Sequence, residues 1–148
     1  MKSYILSTLL VCFTLVSCAD SDKKTATPES SELHTGSPEG HLNLKHNNGS
    51  KWQANAETTE GVQAMQKHVT TFLEEESNDY TTLKTQLETE FAYVFEKCTM
   101  KGESHDQLHN FLYPMKALFE DLTKDPETAQ KAVANLNQHI PVYFQYFE

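Results

Sequence analysis

Apolar side chains return every three or four residues along four stretches of this chain, and that spacing predicts four amphipathic helices. From about residue 55, Val62, Met65, Val69, Phe72 and Leu73 form one stripe, which fades at Glu74, Glu75 and Glu76. Ser77-Asn78-Asp79 breaks the pattern, and Asn78 or Asp79 is the expected cap of a second helix. The second stripe is Tyr80, Leu83, Leu87, Phe91, Val94, Phe95 and Cys98, which puts Cys98 on the buried side of the last turn. Gly102 suits a left-handed cap ending that helix. Ser104-His105-Asp106-Gln107 reads as a capping box opening a third. The third stripe is Leu108, Leu112, Met115, Phe119 and Leu122, with Phe111 and Leu118 beside it; Pro114 removes a backbone donor and predicts a bend. Asp125-Pro126-Glu127 is a strong helix start. The fourth stripe is Ala129, Ala132, Val133, Leu136, Ile140, Tyr143 and Phe147, with a second bend expected at Pro141.

Residues 41–54 differ. Leu42 and Leu44 alternate with polar neighbours, Asn48-Gly49 is a turn signal, and Trp52 is too apolar to leave in water, so a small hairpin or irregular lead-in covering one end of the domain is expected. No β-run of useful length follows. The expected fold is all-α, an up-down-up-down four-helix bundle over residues 41–148. In that topology one end collects the start of the first helix, the end of the second, the start of the third and the end of the fourth. Trp52, Cys98, Met100, His105, His109, Tyr143 and Phe147 should therefore crowd together.

The first forty residues are of another kind. Met1 and Lys2 give a short positive start, and Tyr4 to Val16 is a nearly uncharged apolar run, too short for a membrane-spanning helix and typical of a signal-peptide core. It ends in Leu15-Val16-Ser17-Cys18. These four residues resemble the lipobox of bacterial lipoproteins. The resemblance implies removal of residues 1–17, acylation of Cys18 and a membrane anchor of several acyl chains, which holds firmly where a single chain binds reversibly. Ala19 rather than Asp follows the cysteine, which favours the outer membrane of the cell envelope, on its periplasmic or surface face. Residues 18–40 are small, polar and bear Pro and Gly; they cannot bury enough to fold and read as a disordered tether, with His34 solvated within it.

That processing settles the cysteines. Cys12 leaves with the leader, Cys18 is blocked by lipid, and Cys98 remains alone, so no disulfide can close within the chain. A lone thiol in an oxidising compartment is buried, bound or used, or it joins two chains as a dimer. The formal charge of the 148 residues is −9, and loss of Lys2 with the leader makes it −10. A field of that sign repels nucleic acid and attracts cations.

Candidate chemistry concentrates between Cys98 and His109. His105 and His109 are four apart on one helix and project from neighbouring turns of one side, a spacing that can chelate an ion. Cys98 and Met100 lie just across the turn. Thiolate, thioether and imidazole are a soft set that selects copper(I) over calcium or magnesium. The same residues also fit a plain structural role, with Cys98 and Met100 filling space and both histidines at the surface; C-x-M-x4-H-x3-H lacks the paired cysteines of structural zinc sites. Met65 and His139 read as core or core-edge residues and His68 as a boundary residue, while nothing local orients His41 or His46. No protein partner is legible.

Residues 129–147 are similar to the closing helix of the soluble periplasmic b-type cytochromes, four-helix bundles that hold haem between a Met of the first helix and a His of the last. The resemblance implies the same bundle. Phe144 stands where that family's His falls, so haem would need another pair, Met65 with His139. A nucleophile elbow, a phosphate loop, a dinucleotide fingerprint and the Glu-x-x-His of di-iron bundles are all missing, and an enzyme is not expected; Cys98 with His105 or His109 as its base is the lesser alternative.

Overall fold

The computed structural model describes residues 43–148. The leader, Cys12, Cys18, the tether with His34, and His41 and Leu42 lie outside the described residues. What is described is an all-α four-helix bundle: α1 (Ala56–Glu74), α2 (Tyr80–Lys97), α3 (Glu103–Asp121) and α4 (Pro126–His139), the last continued by a 3-10 turn (Ile140–Val142) and a short α5 (Tyr143–Tyr146). α1 packs on α2 and α4, and α3 packs on the same two, so consecutive helices are neighbours around the bundle.

The stripes become one core. Val62, Met65 and Val69 of α1, Leu87 and Val94 of α2, Phe111 and Met115 of α3, and Leu136 of α4 are fully buried. Two expected core residues are not in it. Leu73 is 44% and Phe95 47% exposed. Each is the second of two adjacent apolar residues, turned about 100° away from its buried neighbour, Phe72 or Val94, by the helical period. Phe95 packs instead against Phe91 and, edge-on, against His109.

The caps of α2 and α4 follow the sequence. Asp79 accepts the Thr82 backbone N–H at 3.0 Å, and Asp125 accepts that of Thr128 at 3.1 Å. The α2–α3 corner does not. Cys98, in extended conformation, ends α2, and Gly102, at φ 62° and ψ −144°, stands before α3. Gly102 thus opens α3 rather than closing α2, in a conformation only glycine adopts easily. The capping box does not form either. α3 already begins at Glu103, so Ser104 lies inside its first turn and donates to the Lys101 carbonyl. Gln107 is buried and accepts the Lys45 backbone N–H at 2.7 Å. α3 runs on through Pro114, whose ring lies on the exposed side, whereas at Pro141 the fourth rod tightens to 3-10 winding.

The lead-in is a minimal hairpin. Asn47 and Ser50 exchange backbone hydrogen bonds at 2.9 Å around Asn48 and Gly49, both at positive φ, as two-residue hairpin turns require. Trp52 then pairs with the C-terminus: its N–H donates to the Tyr146 carbonyl, its carbonyl accepts from Glu148, and Ala54 donates to the Glu148 carbonyl. Its indole, 8% exposed, donates to the Lys45 carbonyl at 2.6 Å.

α1 and α2 approach closely at Gly61, where an added Cβ would lie 2.5 Å from Val94 Cγ2 and 3.4 Å from the Glu90 carbonyl oxygen. Alanine would gain about 1 kcal/mol of helix propensity, against about 1–3 kcal/mol for overpacking against a stiff β-branched side chain. Gly61→Ala is expected to be net destabilising and Gly61→Val much more so, with a midpoint in urea below wild type; an unchanged or raised midpoint would contradict this packing.

Candidate functional site

The closed end of the bundle is organised by Asn55, the residue before α1. Its side-chain amide donates to the Lys97 carbonyl at 3.1 Å, and its oxygen accepts the Thr99 backbone N–H at 3.2 Å and the Thr58 hydroxyl at 2.8 Å. Both backbone groups flank Cys98. Asn55 thereby holds the extended backbone that ends α2 and fixes where the thiol emerges. Thr59 and Tyr143 share a hydrogen bond of 2.9 Å, and Tyr143 stacks on Phe147 with centroids 4.8 Å apart. Burial pushes the Tyr143 phenol up, its bond to Thr59 pulls it partly back, and nearby Cys98 adds to the rise.

At this end three groups lie in a row. Cys98 Sγ is 3.5 Å from His105 Nδ1, and His105 Nε2 is 2.9 Å from His109 Nε2. All three residues are half-buried. They border a cavity of about 50 Å³ walled by Val94, Phe95, Leu108 and Leu112. Met100 is half-buried and packs against the core.

The row has a middle member. The two nitrogens of one imidazole point in different directions, so an ion beside His105 Nδ1 is bound away from Nε2. Among the described residues, no group of three or more His, Cys, Asp or Glu side chains is arranged to hold a metal ion. The pairs are another matter. Bonds of about 2.3 Å to sulfur and 2.0–2.1 Å to nitrogen place the two donors about 3.5 Å apart at a tetrahedral angle, which is the Cys98–His105 separation. The same row could pass a thiol proton to His105, with His109 fixing its tautomer.

A larger concavity of about 410 Å³ lies at the opposite end, between α1 and α2, lined by residues such as Lys67, His68, Phe72 and Asp79. His68, on its rim, stands 3.7 Å from Glu90. Size alone does not make it the better site, since neither a cysteine nor a methionine lines it. His46 stacks on Tyr146, with centroids 4.5 Å apart.

The residues do not fit haem as they stand. Met65 is fully buried in the core. His139 Nε2 donates to the Phe111 carbonyl at 2.8 Å, and its ring lies on the Phe111 ring at 4.9 Å and 15°. Ligation would break that bond and unstack that pair.

Comparison with protein-family models, with curated proteins and with solved structures finds no match for this chain.

Asn55 escapes a reading based on stripes because the two partners that fix Cys98 are backbone groups more than forty positions away. Its place just before a helical run is the one signal that marks it, as a cap.

Burial lowers the His139 pKa from its ordinary 6.5, with the Phe111 carbonyl partly opposing. The folded protein keeps this ring neutral where the unfolded chain protonates it. Its contribution to stability is therefore complete above about pH 6.5 and is lost as pH falls from there towards the folded-state value, at no more than about 1.4 kcal/mol per pH unit. The melting temperature is expected to drop between pH 7.5 and 5.5. His139→Gln, which keeps a donor for Phe111 without the titration, should show a smaller drop; an equal drop would assign the acid sensitivity elsewhere.

Proposed function

We propose that this chain is a lipid-anchored protein of the bacterial cell envelope whose helical bundle binds a soft metal ion, copper(I) first, at the end bearing Cys98. Cys18 carries the lipid and residues 18–40 tether the bundle to the membrane, most naturally the outer one. The lipobox-like Leu15-Val16-Ser17-Cys18 supports the anchor. The observation that carries the metal reading is the thiol 3.5 Å from His105 Nδ1, a soft and a borderline donor at bonding separation. At this separation the two donors subtend a bent angle, so copper(I) would bind them together with a third donor rather than in its linear two-coordinate form. Met100 is the neighbour whose thioether would complete that coordination; His109, on the other nitrogen of His105, would not. The acidic chain raises the local concentration of cations. Storage, delivery or sensing of copper is the corresponding role. One observation favours a second reading, a non-catalytic interaction or structural lipoprotein: Met100 packs against the core, as a gap-filling residue does.

Two measurements test these halves separately. In cells fed a labelled fatty acid, the full-length protein should carry label and Cys18→Ser should not; equal labelling would remove the anchor. Chelator-stripped protein should hold a stoichiometric equivalent of copper(I) against a chromogenic chelator, and Cys98→Ser and His105→Ala should both lose it. If wild type competes no better than these variants, the structural reading stands instead.

A further inference from the structure

The His105–His109 pair has a geometry of its own. The two Nε2 atoms are 2.9 Å apart, yet the ring centroids are only 4.4 Å apart and the planes meet at 63°. Rings meeting end to end would stand further apart, so these lean over the line joining their nitrogens. Metal–imidazole bonds of about 2.0–2.1 Å at a right angle put two nitrogens about 2.9 Å apart. That right angle belongs to square-planar and tetragonal ions such as nickel(II) and copper(II), for which imidazole is a fitting ligand. The Cys98–His105 separation of 3.5 Å is instead that of a tetrahedral angle with a sulfur donor.

We infer that the bundle end carries a second ion position, a two-imidazole chelate of His105 and His109 for a tetragonal divalent metal, and that it shares His105 with the soft position and so excludes it. This deepens the copper(I) reading, on which only the exclusion rests; the chelate itself uses no sulfur. An ion between the rings takes the place of the proton they share. A neutral imidazole offers one ring lone pair, so an ion on Nε2 leaves the proton on the His105 nitrogen facing Cys98, which then cannot ligate a soft ion. Occupation of one position therefore closes the other through a single imidazole. Phe95, edge-on to His109 at 5.5 Å, and Leu108 and Leu112 limit water on the cavity side and restrain the His109 ring.

The experiment uses the full-length, chelator-stripped protein with nickel(II) as the tetragonal probe and silver(I) as the soft one. Binding is followed through the ring NMR signals of His105 and His109, which separates this pair from the other five histidines among the seven of the chain. Nickel(II) should broaden both rings in wild type and in Cys98→Ser, and the broadening of His105 should be lost in His109→Ala. Silver(I) should shift His105 in wild type and in His109→Ala but not in Cys98→Ser. In wild type, silver(I) should relieve the nickel(II) broadening, a competition that needs no variant. Failure of nickel(II) to broaden either ring, or nickel(II) persisting at His105 in His109→Ala, overturns the chelate. Simultaneous binding of both ions overturns the exclusion. If silver(I) alone fails, the copper(I) reading falls and the chelate stands.

Discussion

One end of this bundle is closed by hydrogen bonds between segments far apart in the chain, and the placement of every reactive group depends on them. Trp52 and Ala54 pair with the last residues of the chain, and Asn55 binds the backbone on both sides of Cys98. Neither contact is strong alone, since a typical hydrogen bond contributes about 1 kcal/mol net. Their effect is positional. Asn55 sets the extended backbone of Cys98, and that backbone aims the thiol across the corner at the first turn of α3. Without it, Cys98 would have no fixed relation to His105.

Much of the fold was legible because burial imposes a period. Four stripes, two carboxylate caps and the Asp125-Pro126 start all appear where hydrophobic spacing and capping chemistry place them. The misreadings share a cause. Leu73 and Phe95 sit next to a true core residue, and period alone does not say which of two adjacent apolar side chains faces inward. Gly102 and Ser104 were ambiguous because left-handed glycines and capping residues occur at both edges of a tight corner; the structure resolves this by ending α2 at Lys97, with Cys98 extended as its cap.

The candidate site was legible in its members and not in their order. Sequence spacing brings Cys98, His105 and His109 to one corner, since a short loop and one helical turn separate them. It does not show that His105 lies between the other two, presenting one nitrogen to sulfur and the other to imidazole. That order changes the chemistry from one converging set of donors to two pairs with a common member. Met100 illustrates the same limit: a thioether two residues from a thiol shares its neighbourhood, yet its flexible side chain packs on the core.

The close contact at Gly61 also bears on the order in which the structure assembles. α1 and α2 are joined by a short turn and share the most extensive interface of any two elements, so their hairpin needs little loop closure to form. The pairing of Gln53 with Glu148 spans 95 positions and closes one of the longest loops in the described domain. The two ends of the bundle therefore differ in loop-closure cost: a local turn joins α1 to α2 at one, and contacts between distant segments close the other, where Cys98 lies.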